Sequence, residues 1–277
     1  MLKTIENILL KGGIEEYRAE AKLIVESVSN LSLDKILIAD ELPNKEKMLE
    51  IANKRAQTHA PIQHILGFAY FMGEKYIVNE NVLIPRDETE LLVQKAYELI
   101  KNQQTKIDIL DIGVGSGCIS CALAKKLFEK DIEILGVDIS LDAISTALEN
   151  INKLDLIRKV ILRKSDIFSK IRDIEKFDLI VSNPPYIPLS QKDELDNVVK
   201  NFDPHLALFA PDEDGIEFYK KIIETAPKFL KKGGFLAFEL GVNQSEKVKK
   251  LLEKDFKNIK ITKDLAGIDR VITAQSA

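Results

Sequence analysis

Asn183, Pro184, Pro185 and Tyr186 stand at the end of a strand-like apolar run, in the stretch VSNPPYIPLS of residues 181–190. A residue that precedes proline is driven to an extended backbone, and proline itself carries no N–H. Asn183 and Pro184 are therefore both held extended, and the local surface is rich in acceptors: the side-chain oxygen of Asn183 and the carbonyl of Pro184. Two fixed acceptors suit a planar NH₂ group, each taking one N–H, while Tyr186 can lie against the flat face of such a substrate. A double proline also serves as a plain rigid exit from a strand into a loop. The chemical role gains weight only if a reactive partner is encoded nearby.

Upstream, ILDIGVGSGCIS ends another apolar strand with Asp111 and sets Gly113, Gly115 and Gly117 before a helix. Glycines at such a corner allow positive φ and close approach of a ligand, and the helix N-terminus supplies free N–H groups. A dinucleotide loop G-x-G-x-x-G needs glycine at 118, where this chain has Cys118. The pattern D-x-G-x-G-x-G instead resembles the S-adenosylmethionine loop of Rossmann-like methyltransferases. Asp138 closes the next strand, ILGVDIS, and can accept from both ribose hydroxyls of an adenosine ligand. Alone it would be an ordinary acid at a helix N-terminus. Asp166 ends the third strand, where its carboxylate can accept from an adenine amino group while Ile167 and Phe168 offer apolar surface to the ring. Its plain alternative is a solvated loop acid. Cys118 and Cys121 form a C-x-x-C, but His59, His64 and His205 have no zinc-pair spacing, so the cysteines read as small packing residues and no metal is expected.

The elements that must position these groups follow from periodicity. Residues 1–58 place apolar and charged positions at helical spacing and read as a small helical bundle. Residues 59–86 carry aromatic and β-branched residues around Gly67, Gly73 and an Asn-rich turn, which predicts a β-hairpin linker. From 87 to 277 short apolar strands alternate with amphipathic helices, predicting an α/β domain with a mostly parallel sheet covered on both faces.

Of 277 residues, 45% are hydrophobic and 30% charged, and the net charge of −4 is spread over the chain, so no basic tail points to stable nucleic-acid binding. No run approaches the ~20 apolar residues of a membrane span, and the acidic residues in the first apolar stretch argue against a leader. Two cysteines form no disulfide framework, which fits a cytoplasmic protein.

Beyond NPPY, the blocks PIQHILGFAYF, LIPRDETELLV, LDIGVGSGCI, DPHLALFAPDEDGIEFY, GGFLAFELG and DLAGIDRVI, in this order, make the chain similar to the protein-(glutamine-N5) methyltransferases of the HemK/PrmC type. The similarity covers nearly everything after residue 58. NPPY itself is shared with adenine-N6 methyltransferases of DNA and RNA, so it fixes the chemistry better than the substrate; LIPRDETE and the helical front are more selective. The resemblance implies a Rossmann-like domain that uses S-adenosylmethionine to methylate the glutamine of the Gly-Gly-Gln motif in peptide chain release factors. It implies donor binding by Asp111, Gly113, Val114, Gly115, Ser116, Gly117, Asp138, Asp166, Ile167 and Asn183, and catalysis and substrate binding by Asn183, Pro184, Pro185 and Tyr186. It also implies a monomer whose N-terminal bundle recognises the substrate. Two departures from the family pattern are Asp203, where glutamate is expected, and Ala210-Pro211, where a glycine pair is expected. An adenine-N6 methyltransferase stays open as the alternative, although a basic surface would be expected of it. A nicotinamide dehydrogenase is disfavoured by Cys118.

Overall fold

The computed structural model describes the backbone of residues 1–277 and the side chains of all but Asn197. The chain forms two compact units, Met1–Phe68 with Asn197–Phe202, and Ala69–Asp196 with Asp203–Ala277.

The first unit contains α1 (Leu2–Lys11), α2 (Tyr17–Ser29), α3 (Leu33–Ile38), α4 (Lys45–Thr58) and α5 (Ile62–Leu66). Residues three or four apart on each helix, such as Ile5 and Leu9 or Met48 and Ala52, turn one stripe into a shared core. Arg55 and Glu20, both largely buried, neutralise each other through two hydrogen bonds of 2.8 Å. The expected boundary at residue 58 falls too early, because α5 adds Ile62 to this core. The hairpin is correspondingly shorter than the expected 59–86: β1 (Phe68–Phe71) and β2 (Glu74–Ile77) pair, and residues 78–86 run on without a strand.

The second unit continues with α6 (Asp87–Ile100), β3 (Ile107–Ile112), α7 (Cys118–Lys126), β4 (Ile132–Asp138), α8 (Leu141–Lys153), β5 (Val160–Lys164) and β6 (Phe177–Ser182). The two-residue strand β7 (Ile187–Pro188) and a 3₁₀ segment (Leu189–Glu194) lead to α9 (Asn197–Phe202), which groups with the first unit. Then follow α10 (His205–Leu208), β8 (Phe209–Ala210), α11 (Glu217–Phe229), β9 (Leu230–Glu239), α12 (Ser245–Leu252), β10 (Phe256–Lys263) and β11 (Asp269–Ser276).

Seven strands form one sheet in the order β10-β11-β9-β6-β3-β4-β5. Every pairing from β9 to β5 is parallel, while β11 runs antiparallel to both of its neighbours. Strand periodicity divides the core: Ile107, Ile109, Leu179 and Val181 face one layer with α6 and α7, whereas Leu110, Ile112, Ile180 and Phe238 face the other with α11 and α12. Among the described residues, no helix is long and apolar enough to cross a membrane.

Candidate active site

The chain order reverses between β3 and β6: β4 and β5 lie to one side of β3, β6 and β9 to the other. Loops leaving the carboxyl ends of such neighbours diverge and open a crevice. Ile112 and Ser182 end the two strands in register, and the buried Ser182 hydroxyl donates to the Ile112 carbonyl at 2.7 Å. The glycine loop and NPPY therefore leave the sheet side by side, with a cavity of about 430 Å³ in front of them.

Gly113, Gly115 and Gly117 all have positive φ, at 76°, 53° and 80°. The first two turn the chain back: the Gly113 and Val114 N–H groups both donate to the Val137 carbonyl, at 2.9 and 3.0 Å. The Gly115 N–H donates to Asp138 Oδ2 at 3.0 Å, and the Ser140 N–H to Oδ1 at 2.9 Å. A carboxylate offers about four lone-pair positions, so each Asp138 oxygen keeps capacity for a ligand hydroxyl.

The cavity wall includes Gly113, Val114, Gly115, Ser116, Asp138, Asp166, Ile167, Asn183, Pro184 and Pro185. Asp111, Gly117, Tyr186 and Phe168 do not line it. Asp111 lies on the face of Ile109, under α7, where its Oδ2 accepts from the Ser120 hydroxyl at 2.6 Å. Burial pushes its carboxyl up to about 7, with the Ser120 bond opposing and the Asp138 charge adding to the rise. Gly117 faces α8, where a Cβ would meet that of Ala147 at 3.3 Å. Phe168 stacks on Phe229 in the core, with ring centres 4.9 Å apart. Tyr186 packs near Gly241, its ring within 2.9 Å of where a Cβ there would sit.

Ile167 has φ of 46°, an unfavourable value for a β-branched residue, and it is over-determined by its neighbours. The Ser165 hydroxyl donates to the Ile167 carbonyl at 2.9 Å and accepts from the Lys170 N–H at 3.0 Å, while the Asp166 N–H is held by Ser169 at 3.1 Å. This holds Asp166 and Ile167 at the cavity wall.

Asn183 is oriented by Thr89, which also lines the cavity, and through it by Glu239. Its Nδ2 donates to Thr89 Oγ1 at 3.3 Å, and the Thr89 hydroxyl donates to Glu239 Oε2 at 2.6 Å. Glu239 is 2% exposed. Burial drives its carboxyl up to about 7, against the Thr89 bond and the Arg270 charge.

The segment from Glu80 to Arg86, together with Ser140, Asp142, His205 and Phe218, also lines the cavity without a role having been read from sequence. The blocks LIPRDETE and DPHLALF carried the signal, but only as family resemblance. Asp203 of the second block accepts from Arg86 of the first at 2.6 Å, so aspartate serves where glutamate is expected. At the other departure Ala210 is fully buried in β8, paired with Pro188. Asp212, two residues on, accepts from the Ile216 and Glu217 N–H groups at the start of α11, at 2.9 and 3.1 Å. Cys118 and Cys121 are buried; burial raises the Cys118 thiol to about 12 and lifts Cys121 well above its ordinary value, so neither is poised as a thiolate.

Glu80, Asp138, Asp142 and Asp166 line the cavity, with Arg86 as the only lysine or arginine among its described lining residues. That balance fits a cationic sulfonium donor with ribose hydroxyls and opposes a dinucleotide carrying a pyrophosphate. No group of His, Cys, Asp and Glu suited to a metal ion occurs among the described residues.

Comparison with known proteins agrees with this geometry. Residues 103–274 match a methyltransferase domain family, and residues 1–67 match the PrmC N-terminal domain. The chain is 37% identical over 278 residues to the release factor glutamine methyltransferase of Streptococcus pneumoniae, an alignment covering 98% of this chain and 96% of that one. Against the protein of the same name from Fusobacterium nucleatum subsp. nucleatum identity is 42% over 237 residues, covering 84% of this chain and 65% of that relative, just under two thirds. The hMettl16 catalytic domain in complex with MAT2A 3′UTR hairpin 6 superposes with a TM-score of 0.58 at 18% identity, covering 81% of each chain, and shows the fold alone. The chain is a methyltransferase and belongs to the release factor glutamine methyltransferase family.

Proposed function

We propose that this protein transfers a methyl group from S-adenosylmethionine to the side-chain nitrogen, N5, of the glutamine in the Gly-Gly-Gln motif of peptide chain release factors. The observation that carries the reading is Asn183, whose amide nitrogen is engaged by Thr89 and whose oxygen is thereby left to accept, at a cavity shared with the glycine loop and Asp138. When bound, S-adenosylmethionine supplies the methyl group on a positively charged sulfur, so the protein needs no nucleophile of its own.

An amide nitrogen is a poor nucleophile because its lone pair is delocalised into the carbonyl, and the protein therefore works mainly by alignment. Asn183 Oδ1 and the Pro184 carbonyl each accept one N–H of the substrate amide, with Pro185 keeping the preceding backbone extended. Fixed orientation of this kind is worth roughly 7–11 kcal/mol at best. Positive charge that develops on the nitrogen is met by two oriented acceptor dipoles, which bind it more strongly in the transition state than in the ground state. Proton loss then follows to solvent. Tyr186 does not line the cavity; its ring packs beside Gly241 and its carbonyl accepts from Gln244 Nε2 at 2.8 Å, so in this reading it anchors the turn. Release factor incubated with the protein and S-adenosylmethionine should gain one methyl on the peptide containing Gly-Gly-Gln, with fragmentation placing it on the glutamine. An unmodified peptide would remove the reading.

Donor binding rests on Asp138 and the glycine loop. Asp138→Ala should weaken S-adenosylmethionine binding by tenfold or more in a calorimetric titration, on the order of the 1.5–3 kcal/mol carried by hydrogen bonds to a charged group. The melting temperature should change little, because the carboxylate contacts a loop and not the core. Unchanged affinity would take Asp138 out of the site.

The helical first unit serves recognition of the protein substrate. It contains none of the donor-site or NPPY residues, and a loop glutamine on a large protein needs docking surface. A protein lacking residues 1–68 should, where soluble, still bind the donor but methylate intact release factor poorly; full activity would overturn this role. The protein acts as a monomer in the cytoplasm, a reading that sedimentation at working concentration and fractionation of cells would test.

A further inference from the structure

Resting on the reading of Asn183 as the acceptor for the substrate amide, we infer that Thr89 and Glu239 are positioning residues that hold the Asn183 amide with its oxygen toward the substrate. Both are buried, 3% and 2% exposed, and they come from opposite ends of the domain sequence: Thr89 from the first turn of α6, Glu239 from the last residue of β9. The block LIPRDETE thereby acquires a chemical purpose through its threonine.

Donor and acceptor capacity fixes the arrangement. An ionised carboxylate can only accept, so the single hydroxyl proton of Thr89 goes to Glu239, at 2.6 Å. The Thr89 oxygen is then left with lone pairs alone, and only an N–H can meet it from the other side. Asn183 supplies that N–H at 3.3 Å, which fixes which end of its amide faces Thr89. Its oxygen is left to accept. A carboxyl that carries a proton reverses the sequence: it donates to Thr89, Thr89 donates to the Asn183 oxygen, and the rotated amide offers an NH₂ to a substrate that also offers an NH₂. Two donors do not pair, so the site loses its acceptor.

The groups facing Glu239 decide when this happens. Burial raises its carboxyl to about 7; the Thr89 hydroxyl, Arg270 on β11 and Asn183 lower it, and Glu88 on α6 raises it. Tyr186 and Cys118 also face it, both neutral at pH 7 because burial lifts their ionisation upward. The Tyr219 hydroxyl is engaged on the Glu239 backbone carbonyl at 2.8 Å and leaves the carboxylate alone. The folded protein thus holds the proton to higher pH than an ordinary glutamate, and the acceptor orientation is complete above about 7 and lost as pH falls through it.

The test uses the full-length protein with S-adenosylmethionine and release factor. Thr89→Val, which keeps shape and removes the hydroxyl, should lower kcat by tenfold or more with donor affinity near the parent's, beyond what its lower melting temperature explains, and Thr89→Ser should restore most of the loss. Glutamine at 239 still accepts from Thr89 but does not titrate, so the Glu239→Gln profile, normalised to its own plateau, should lose the acid limb near pH 7. Parent-like kcat in Thr89→Val, or an acid limb in Glu239→Gln with the parent's midpoint and steepness, would overturn the inference. If Thr89→Val does not fold, the Glu239→Gln profile decides alone. Asn183→Ala separates the layers: an active Asn183→Ala removes the underlying reading, whereas an inactive one beside a fully active Thr89→Val removes only the role of the relay.

Discussion

Asn183→Ala is expected to reduce glutamine methylation by more than a hundredfold while S-adenosylmethionine affinity stays within a few-fold of the parent. The substitution deletes the acceptor and leaves one substrate N–H without its protein partner, which costs ~1–3 kcal/mol once the docked substrate excludes water. At 1.36 kcal/mol per factor of ten, that alone is roughly 5- to 150-fold in rate. The nitrogen is also free to rotate out of alignment, and orientation is the larger resource of this site, worth up to roughly 7–11 kcal/mol. Because these losses fall on the transition state, they appear in kcat. Donor affinity is spared, since Asp138 and the Gly115 N–H are fixed by each other and by Ser140, independently of Asn183. Single-turnover methylation and calorimetry on the same preparation check both halves; retained turnover would remove Asn183 from the chemistry.

Gly215→Ala is expected to produce the largest loss of stability from a single methyl group. Gly215 has φ of +69°, and a Cβ there would lie 2.1 Å from the Tyr186 carbonyl oxygen and 2.6 Å from Gln244 Nε2. Neither neighbour can yield cheaply. The Gln244 amide is a buried bracket: its two Nε2 protons are shared among the carbonyls of Tyr186, Asp214 and Gly215, at 2.8, 3.0 and 3.2 Å, and its Oε1 accepts from the Gly241 N–H at 3.1 Å. A left-handed non-glycine residue costs about 1–2 kcal/mol and forced overpacking about 1–3, so a loss of roughly 2–5 kcal/mol is expected in urea unfolding. Because Tyr186 closes the NPPY turn, methylation should fall further than the unfolded fraction explains. A midpoint indistinguishable from the parent's would show that the 214–215 loop moves aside freely.

These two residues also mark what was legible in the sequence. The place of Asn183 at a strand exit was legible from the prolines after it, and that of the glycine loop from positive-φ demand at a strand-to-helix corner. The parallel sheet followed from strand and helix alternation, and Cys118 excluded the dinucleotide spacing. Gly215 carried no such signal, since its need for glycine comes from a carbonyl and an amide brought to it by the fold. Asp111 was misplaced although the information was present: strand periodicity puts it on the face of Ile107 and Ile109, under α7 and away from the cavity. Phe168 was misplaced because a residue after a strand end can turn either to ligand or to core, and Phe229 supplies the stacking partner. The pairing of Thr89 with Glu239 joins residues 150 apart in the chain, beyond what one sequence reveals. The bundle boundary slipped from 68 to 58 because the five-residue α5 is too short to show a period.

Whether two fixed acceptors at the switch point serve a protein glutamine is tested most directly by offering labelled S-adenosylmethionine and the full-length protein, side by side, release factor and DNA in duplex and single-stranded form. The cavity wall, with Glu80, Asp138, Asp142 and Asp166 against Arg86, is unfavourable to phosphates. Label should appear on the glutamine of the Gly-Gly-Gln peptide and stay at background in DNA. Transfer to adenine at a rate equal to or above transfer to glutamine would contradict the account and make the same four residues, Asn183 to Tyr186, the site of a base methyltransferase.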